Sequence, residues 1–327
     1  MITIKNGYIL DGESLVKKDL YIENGKICKI EDILEPIGEI IDAKEGFVMP
    51  GATDVHVHLR EPGFSYKETI KTGTMASLKG GVTTCLAMPN LRPCPDSIQN
   101  LEVEQTIIDK DALVHVYPYG AVTVGQKGEK LADINGIKDK VCAFTDDGVG
   151  VNNIPLLEEA MRLAKENDFV IASHAEDSVN GKLPEGEYVA VRREIELAKK
   201  YGCRYHFCHM STKESFDAIR VAQKEGYKIT CEVAPHHLIL NEEMIKDANW
   251  KMNPPLRSEE NRLETIKALL DGTACMVASD HAPHSEEEKS RAYNDCPNGI
   301  IGIETMLPII YTYFVKTNLA SFKDMVD

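Results

Sequence analysis

Two histidines stand two residues apart in "GATDVHVHLREP" (51–62), and an arginine follows at the same spacing. Alternate residues of a strand share a face, so His56, His58 and Arg60 point together while Val55, Val57 and Leu59 point away. Imidazoles arranged this way either line a wet edge or ligate a metal, and an isolated pair does not separate the two. The rest of the chain supplies more donors: Asp146 and Asp147 in "FTDDG", His174 in "IASHAED", His209 in "HFCHMST" and Asp280 in "VASDHAPH". Imidazole nitrogen and carboxylate oxygen suit zinc. Four histidines with two aspartates exceed what one catalytic zinc uses and suit two metals sharing a carboxylate and a hydroxide. Each residue also has an ordinary reading. His174 and His209, taken singly, read as hydrogen-bonded core residues, Asp146 or Asp147 as a loop cap, and Asp280 as a partner for His281. His206 reads as structural and His115 as packed in mid-strand; His236 and His237 receive no role.

Something must bring these residues to one place. Residues 1–49 read as a small β module of short strands, with hairpin-type dipeptides at Asn6-Gly7, Asp11-Gly12 and Asn24-Gly25. From residue 50 onward, apolar runs of strand length alternate with helical patterns. The strand candidates are "TDVHVHL", "VTTCLAMP", "ALVHVYPYGAV", "VCAFTDD", "FVIASHA", "RYHFCHM", "KITCEVAPHH" and "CMVASD". Helical patterns fall at 66–79, 95–109, 153–166, 188–200, 212–225 and 258–270. Eight strands with interleaved helices predict a (β/α)8 TIM-type barrel over 50–327, whose chemistry sits at the C-terminal strand ends. The histidines and aspartates fall at those ends, with Asn90 after the second strand.

The totals narrow the possible partners. With 37 basic and 52 acidic side chains among 327 residues, the net charge of −15 disfavours nucleic acid and anionic membrane. An anionic substrate therefore needs local cations. No run is apolar enough to span a membrane, and "MITIKNGYIL" lacks the pattern of a signal peptide. Nine scattered cysteines without a Cys-x-x-Cys pair fit reduced thiols in a cytoplasmic protein.

Taken together, "PGATDVHVHLREPG", "GGVTTCLAMPN", "FTDDGVG", "CHMSTKES", "NPPLR" and "ASDHAPH" resemble the class I bacterial dihydroorotases of the amidohydrolase superfamily. Six motifs in order make the resemblance specific. It implies zinc-dependent, reversible hydrolysis of the cyclic amide of dihydroorotate to N-carbamoyl-aspartate, in pyrimidine biosynthesis. It further implies two Zn2+ per chain, one held by His56 and His58 and the other by His174 and His209. Asp147 and a hydroxide would bridge them, and Asp280 would bind the first metal and act as acid and base. The preference for Asp147 over Asp146 comes from the resemblance, since strand alternation says only that the two point apart. Substrate contacts carried over are His58, Arg60, Asn90, Asn253, His284, Asn298 and Gly299. Arg257 reads as a surface salt bridge. Many relatives, hydantoinases among them, bridge with a carboxylated lysine; here "FTDDG" has none, and Lys138 and Lys140 precede that strand.

Two departures from the family pattern stand out. The stretch from His174 to His209 is short and lacks part of a loop and the helix start after it. The chain also stops at "NLASFKDMVD", without the C-terminal strands that usually complete the β module, so that module reads as incomplete with bare edges. Besides its small-molecule substrate, a second copy or an aspartate transcarbamoylase is an expected partner. The rival readings are a hydantoinase- or dihydropyrimidinase-type cyclic amidase and a non-catalytic scaffold for the transcarbamoylase.

Overall fold

In the computed structural model, which describes residues 1–327, the N-terminal segment forms β1 (Ile2–Asp11), β2 (Ser14–Glu23), β3 (Lys26–Glu31) and β4 (Glu39–Asp42). Asn24 and Gly25 have φ of 51° and 73° and join β2 to β3 in a two-residue turn, the geometry that Asn-Gly adopts without strain. Gly12 sits in the corresponding turn between β1 and β2. Asn6-Gly7 behaves differently from the hairpin expected of it. The register slips between Ile4 and Gly7, Asn6 has φ of 57°, and β1 continues through the bulge. A bulge and a tight turn both need positive φ, so the dipeptide cannot tell them apart in sequence. The Asp19 carboxylate accepts the Asn6 backbone N–H at 3.0 Å and fixes that kink. The sheet order is β3-β2-β1-β4.

The segment Tyr311–Asp327 groups with Met1–Ala52 in one compact unit, and Thr53–Ile310 forms the other. Sequence patterning assigned 311–327 to the barrel. The difference has a packing cause: the Phe47 ring lies 5.5 Å from that of Tyr311 and 4.4 Å from that of Phe322. Short-range periodicity contains no information on such a pairing.

The second unit alternates strand and helix: β5 (Ala52–Val57), α1 (Ile70–Lys79), β6 (Val82–Ala87), α2 (Ile98–Asp111), β7 (His115–Pro118), α3 (Ile134–Ile137), α4 (Ile154–Asn167), β8 (Val170–Ser173), α5 (Pro184–Tyr201), β9 (Arg204–Phe207), α6 (Lys213–Lys224), β10 (Ile229–Val233), α7 (Pro235–Ile239), α8 (Glu259–Leu270) and β11 (Met276–Val277). Local signals set the helix ends. Thr69 caps α1 in a capping box with Thr72, and Gly202 ends α5 at φ of 65°. The α5 helix begins at Pro184, earlier than its apolar pattern starts, because proline supplies a first-turn position whose N–H needs no partner.

The parallel strands run β5-β6-β7 in one set and β8-β9-β10-β11 in the other. Three bridges at two junctions join the sets into a ring. Phe144 pairs with both Gly120 and Ile171, and Val57 pairs with His281. The fourth stave, expected as the strand "VCAFTDD", is thus reduced to a bridge at Phe144, with the Ala172 N–H donating to the Phe144 carbonyl at 2.8 Å. Buried Met88, Tyr119, Ala143, Ala172 and Cys208 pack together inside. Two further expectations change. His236 and His237 lie in the short helix α7, not at a strand end, and His115 is the exposed first residue of β7.

Candidate metal centre

The side chains at the strand ends converge. His56 is the penultimate residue of β5 and fully buried; His58 lies one residue beyond the strand. His174 follows β8 directly, His209 lies two residues past β9, and Asp280 three past β11. Asp147 stands between two histidine pairs. One of its carboxylate oxygens is 3.5 Å from His56 Nε2 and 3.4 Å from His58 Nε2. The other is 3.6 Å from His174 Nδ1 and 3.3 Å from His209 Nε2. Asp280 Oδ1 completes the first group, 3.2 Å from His58 Nε2 and 3.5 Å from His56 Nε2.

These spacings suit divalent cations. A tetrahedron with zinc-like arms has an edge of about 3.3 Å, and the donor–donor distances run from 3.0 to 3.6 Å. His56, His58 and Asp147 form one buried group able to hold an ion, and Asp147, His174 and His209 another. His56 Nε2 is buried with no hydrogen-bond partner, an orphan that a cation would satisfy. The electrostatics agree. Burial opposes charge on His56, but Asp147 and Glu232 outweigh it and hold its pKa well above the usual imidazole value. His174 is likewise drawn up to about 9, against burial, by Asp147 and Glu176. Asp147 and Asp280 stay ionised although burial resists it, because the imidazoles around them favour the anion. The centre is built to surround positive charge.

Three residues here adopt the left-handed region without being glycine: Arg60 at φ of 59°, His209 at 36° and Asp280 at 47°. Such backbone persists only where surrounding structure enforces it. For Asp280, the Asp54 carboxylate supplies part of that constraint, accepting the N–H of Ser279 at 3.0 Å and of His56 at 3.2 Å.

Beside the donors lies a cationic rim. Arg60 Nε donates to the Pro283 carbonyl at 3.0 Å, and its NH2 lies 3.4 Å from His284 Nε2. Lys67 Nζ reaches His284 Nδ1 at 3.1 Å. Burial, Arg60 and Lys67 together push the His284 pKa down to about 4, so it is neutral near pH 7. Asn90 donates to the Asp147 carbonyl at 2.7 Å, and Asn253 reaches His174 Nε2 at 3.0 Å. The Asn298 carbonyl lies 2.7 Å from His284 Nε2. Gly299 has φ of 134°, and a Cβ there would meet the Ala282 carbonyl at 2.4 Å. An open pocket of about 640 Å³ flanks His284 and Gly299, walled by Leu240, Trp250, Met252 and Ile301.

As strand alternation expects, Asp146 points apart from Asp147: its Oδ1 accepts the N–H groups of Val122 and Thr123 at 2.9 and 3.1 Å. One expectation needs revision. Arg257 is buried rather than on the surface; it donates to Ser211 Oγ at 3.0 Å and to the Lys182 carbonyl at 2.6 Å, with Glu187 at 3.8 Å. A guanidinium with partners in two loops and in α5 is a structural tie, and strand or helix periodicity carries no sign of it. Glu232, inside β10, was missed altogether, as were Lys67, Glu176 and Asp54. A carboxylate within the apolar run "ITCEV" was the available signal for Glu232.

The fold and site together define a class. An L-hydantoinase from Arthrobacter aurescens superposes with a TM-score of 0.87 over 99% of this chain and 79% of its own, at 24% identity. A D-hydantoinase from a Thermus species gives 0.83 over 100% and 80%, at 26% identity. Both carry the amidohydrolase barrel. Sequence comparison goes further. A family model described as "Dihydro-orotase-like" matches residues 46–215. A dihydroorotase from Geobacillus sp. (strain WCH70) is 45% identical over 350 aligned residues, which take in 100% of this chain and 82% of the relative. One from Staphylococcus aureus (strain Mu50) is 44% identical over the same shares. This chain belongs to the dihydroorotase family of the amidohydrolase superfamily, as the ordered motifs implied. The hydantoinase likeness is one of fold.

Proposed function

We propose that this cyclic amide hydrolase interconverts dihydroorotate and N-carbamoyl-aspartate, with two zinc ions held by His56, His58, Asp147, His174, His209 and Asp280. The observation that carries the metal part is Asp147, whose two oxygens face separate histidine pairs. The family carries the substrate, and Arg60 is where this chain would receive its carboxylate.

When bound, the metals supply the positive charge that polarises an amide carbonyl and makes water a usable nucleophile near neutral pH. The chain's own residues do the rest. The Arg60 guanidinium, anchored through Nε on the Pro283 carbonyl, turns its remaining N–H groups to the substrate carboxylate. Neutral His284, Asn90, Asn253, Asn298 and the Gly299 backbone fix the ring. Asp280 takes a proton from the attacking water as its oxygen bonds to the carbonyl carbon. It then delivers that proton to the ring nitrogen as the C–N bond breaks, so one carboxylate serves as base and then as acid.

The test is hydrolysis of dihydroorotate, dihydrouracil and allantoin by metal-loaded protein. Turnover of dihydroorotate alone supports the reading, and preference for dihydrouracil or allantoin overturns it. Asp280→Ala should keep zinc at the second group and lose nearly all turnover; a wild-type rate would remove its acid–base role. No helix is long and apolar enough to cross a membrane. The nine cysteines, all unpaired, support placing the enzyme in the reducing cytoplasm. Association with a second copy or with an aspartate transcarbamoylase is a separate proposal. Sedimentation of the chain alone and in a mixture tests it.

A further inference from the structure

One buried acid beside the metal centre is not among the six donors. Glu232 lies inside β10 with 1% of its surface exposed. Its Oε1 is 2.7 Å from His56 Nδ1 and 3.2 Å from the His209 backbone N–H. Its Oε2 is 3.1 Å from His206 Nε2, and His206 Nδ1 in turn is 2.8 Å from Thr230 Oγ1. The opposite nitrogen of His56, Nε2, is the buried one that lacks any partner and faces Asp147 and Asp280.

We infer that Glu232 is a positioning residue for metal binding: it holds the proton of His56 on Nδ1, aims the Nε2 lone pair at the cation and strengthens that nitrogen as a donor. The inference rests on the reading of His56 as a metal ligand. A carboxylate offers only acceptors, so the imidazole facing it presents N–H there, and it is the far nitrogen, Nε2, that gives up its proton to offer a lone pair when a cation binds. Acids that accept from the outer nitrogen of a ligating histidine fix its tautomer and raise its basicity. His206, itself bonded to Thr230, engages Glu232 Oε2 while Oε1 is taken up by His56 Nδ1 and the His209 N–H, so both carboxylate oxygens are committed within the protein. The His209 backbone bond extends the same acid to the second histidine pair. Glu232 therefore ties a ligand of each group to one strand. The series β5-His56, Glu232-β10, His206-β9 crosses the barrel interior, which explains why His206 is buried although its side chain reaches no predicted ligand.

Zinc affinity, measured by competition with a coloured chelator on the full chain, tests this. The variants are Glu232→Gln, Glu232→Ala, His56→Ala and the double variant His56→Ala/Glu232→Ala. Glutamine can keep its amide oxygen toward His56 and His209 and donate its N–H to His206, so it removes charge and little else. Zinc binding should weaken about tenfold in Glu232→Gln and about 100-fold in Glu232→Ala. In the His56→Ala background, where only the His209 backbone bond is left to lose, adding Glu232→Ala should cost at most about tenfold, well short of the roughly 100-fold it costs with His56 present. The melting temperature of the metal-free protein reports folding separately. Should Glu232→Ala fail to fold, the near-isosteric Glu232→Gln decides, and a folded Gln variant with wild-type zinc affinity overturns the inference. A loss as large without His56 as with it also overturns it, since Glu232 would then act by another route. Zinc binding indifferent to His56→Ala would instead remove the metal-centre reading, and this inference with it.

Discussion

At the scale of single residues, neighbours in sequence part company in space. Asp146 and Asp147 are consecutive, yet one ties a loop and the other faces four imidazoles. Their variants should therefore fail differently. Asp146→Ala leaves two buried N–H groups without a partner, each costing about 1–3 kcal/mol. It should lower the melting temperature while the folded protein still takes up its full complement of zinc. Asp147→Ala should fold and lose zinc, which chelator competition measures. The reverse pattern would exchange their roles. Arg60→Lys should raise KM for dihydroorotate about tenfold or more, because charge remains but at least one charge-assisted bond, worth about 1.5 kcal/mol, is lost with the planar fork. Steady-state kinetics at fixed metal loading reads this. An unchanged KM would place the carboxylate elsewhere.

At the scale of elements, one helix carries an acid where a core residue belongs. Glu104 in α2 is 1% exposed, and its Oε2 has no partner. Burial alone drives its pKa well above the ordinary 4.5. The folded chain thus holds this proton more tightly than the unfolded chain does. Its contribution to stability is full below about pH 4.5 and is lost as pH rises toward the raised value. Glu104→Gln removes that slope. The variant's melting temperature should gain on the wild type as pH is raised from 4.5 to 8, and parallel pH curves would show that Glu104 is hydrated instead. Loop geometry is equally unforgiving at Gly299. With φ of 134° and the Ala282 carbonyl 2.4 Å from a notional Cβ, Gly299→Ala must shift the loop that holds Asn298 against His284. Loss of catalytic efficiency with dihydroorotate should follow, with zinc content unchanged.

At the scale of the whole molecule, the centre concentrates six donors from five staves in a chain of net charge −15. Two bound dications would offset part of that negative charge and link staves distant in sequence. Zinc that binds only the folded chain should stabilise it by about 2.7 kcal/mol at a hundred times its dissociation constant. Chelation should lower the melting temperature, and zinc should restore it. A transition unaffected by either would mean that the donors are held as firmly without metal.

Much of this was legible in the sequence because it is local. Period-two and period-3.6 patterns marked seven of the eight staves and six helices, and the donor residues fell at the strand ends where barrel chemistry occurs. What the sequence could not supply depends on partners far away along the chain. Asn6-Gly7 forms a bulge because β1 continues against β2, and 311–327 pack on Phe47. Arg257 is buried because Ser211, Lys182 and Glu187 meet it there. Glu232 reads as one acid in an apolar strand until the ring closes and brings His56, 176 residues away, to its carboxylate. Spacing reports which side chains share a face. Only closure of the barrel decides which faces meet, since hydrogen bonds between distant staves are chosen by three-dimensional packing rather than by any neighbour in sequence.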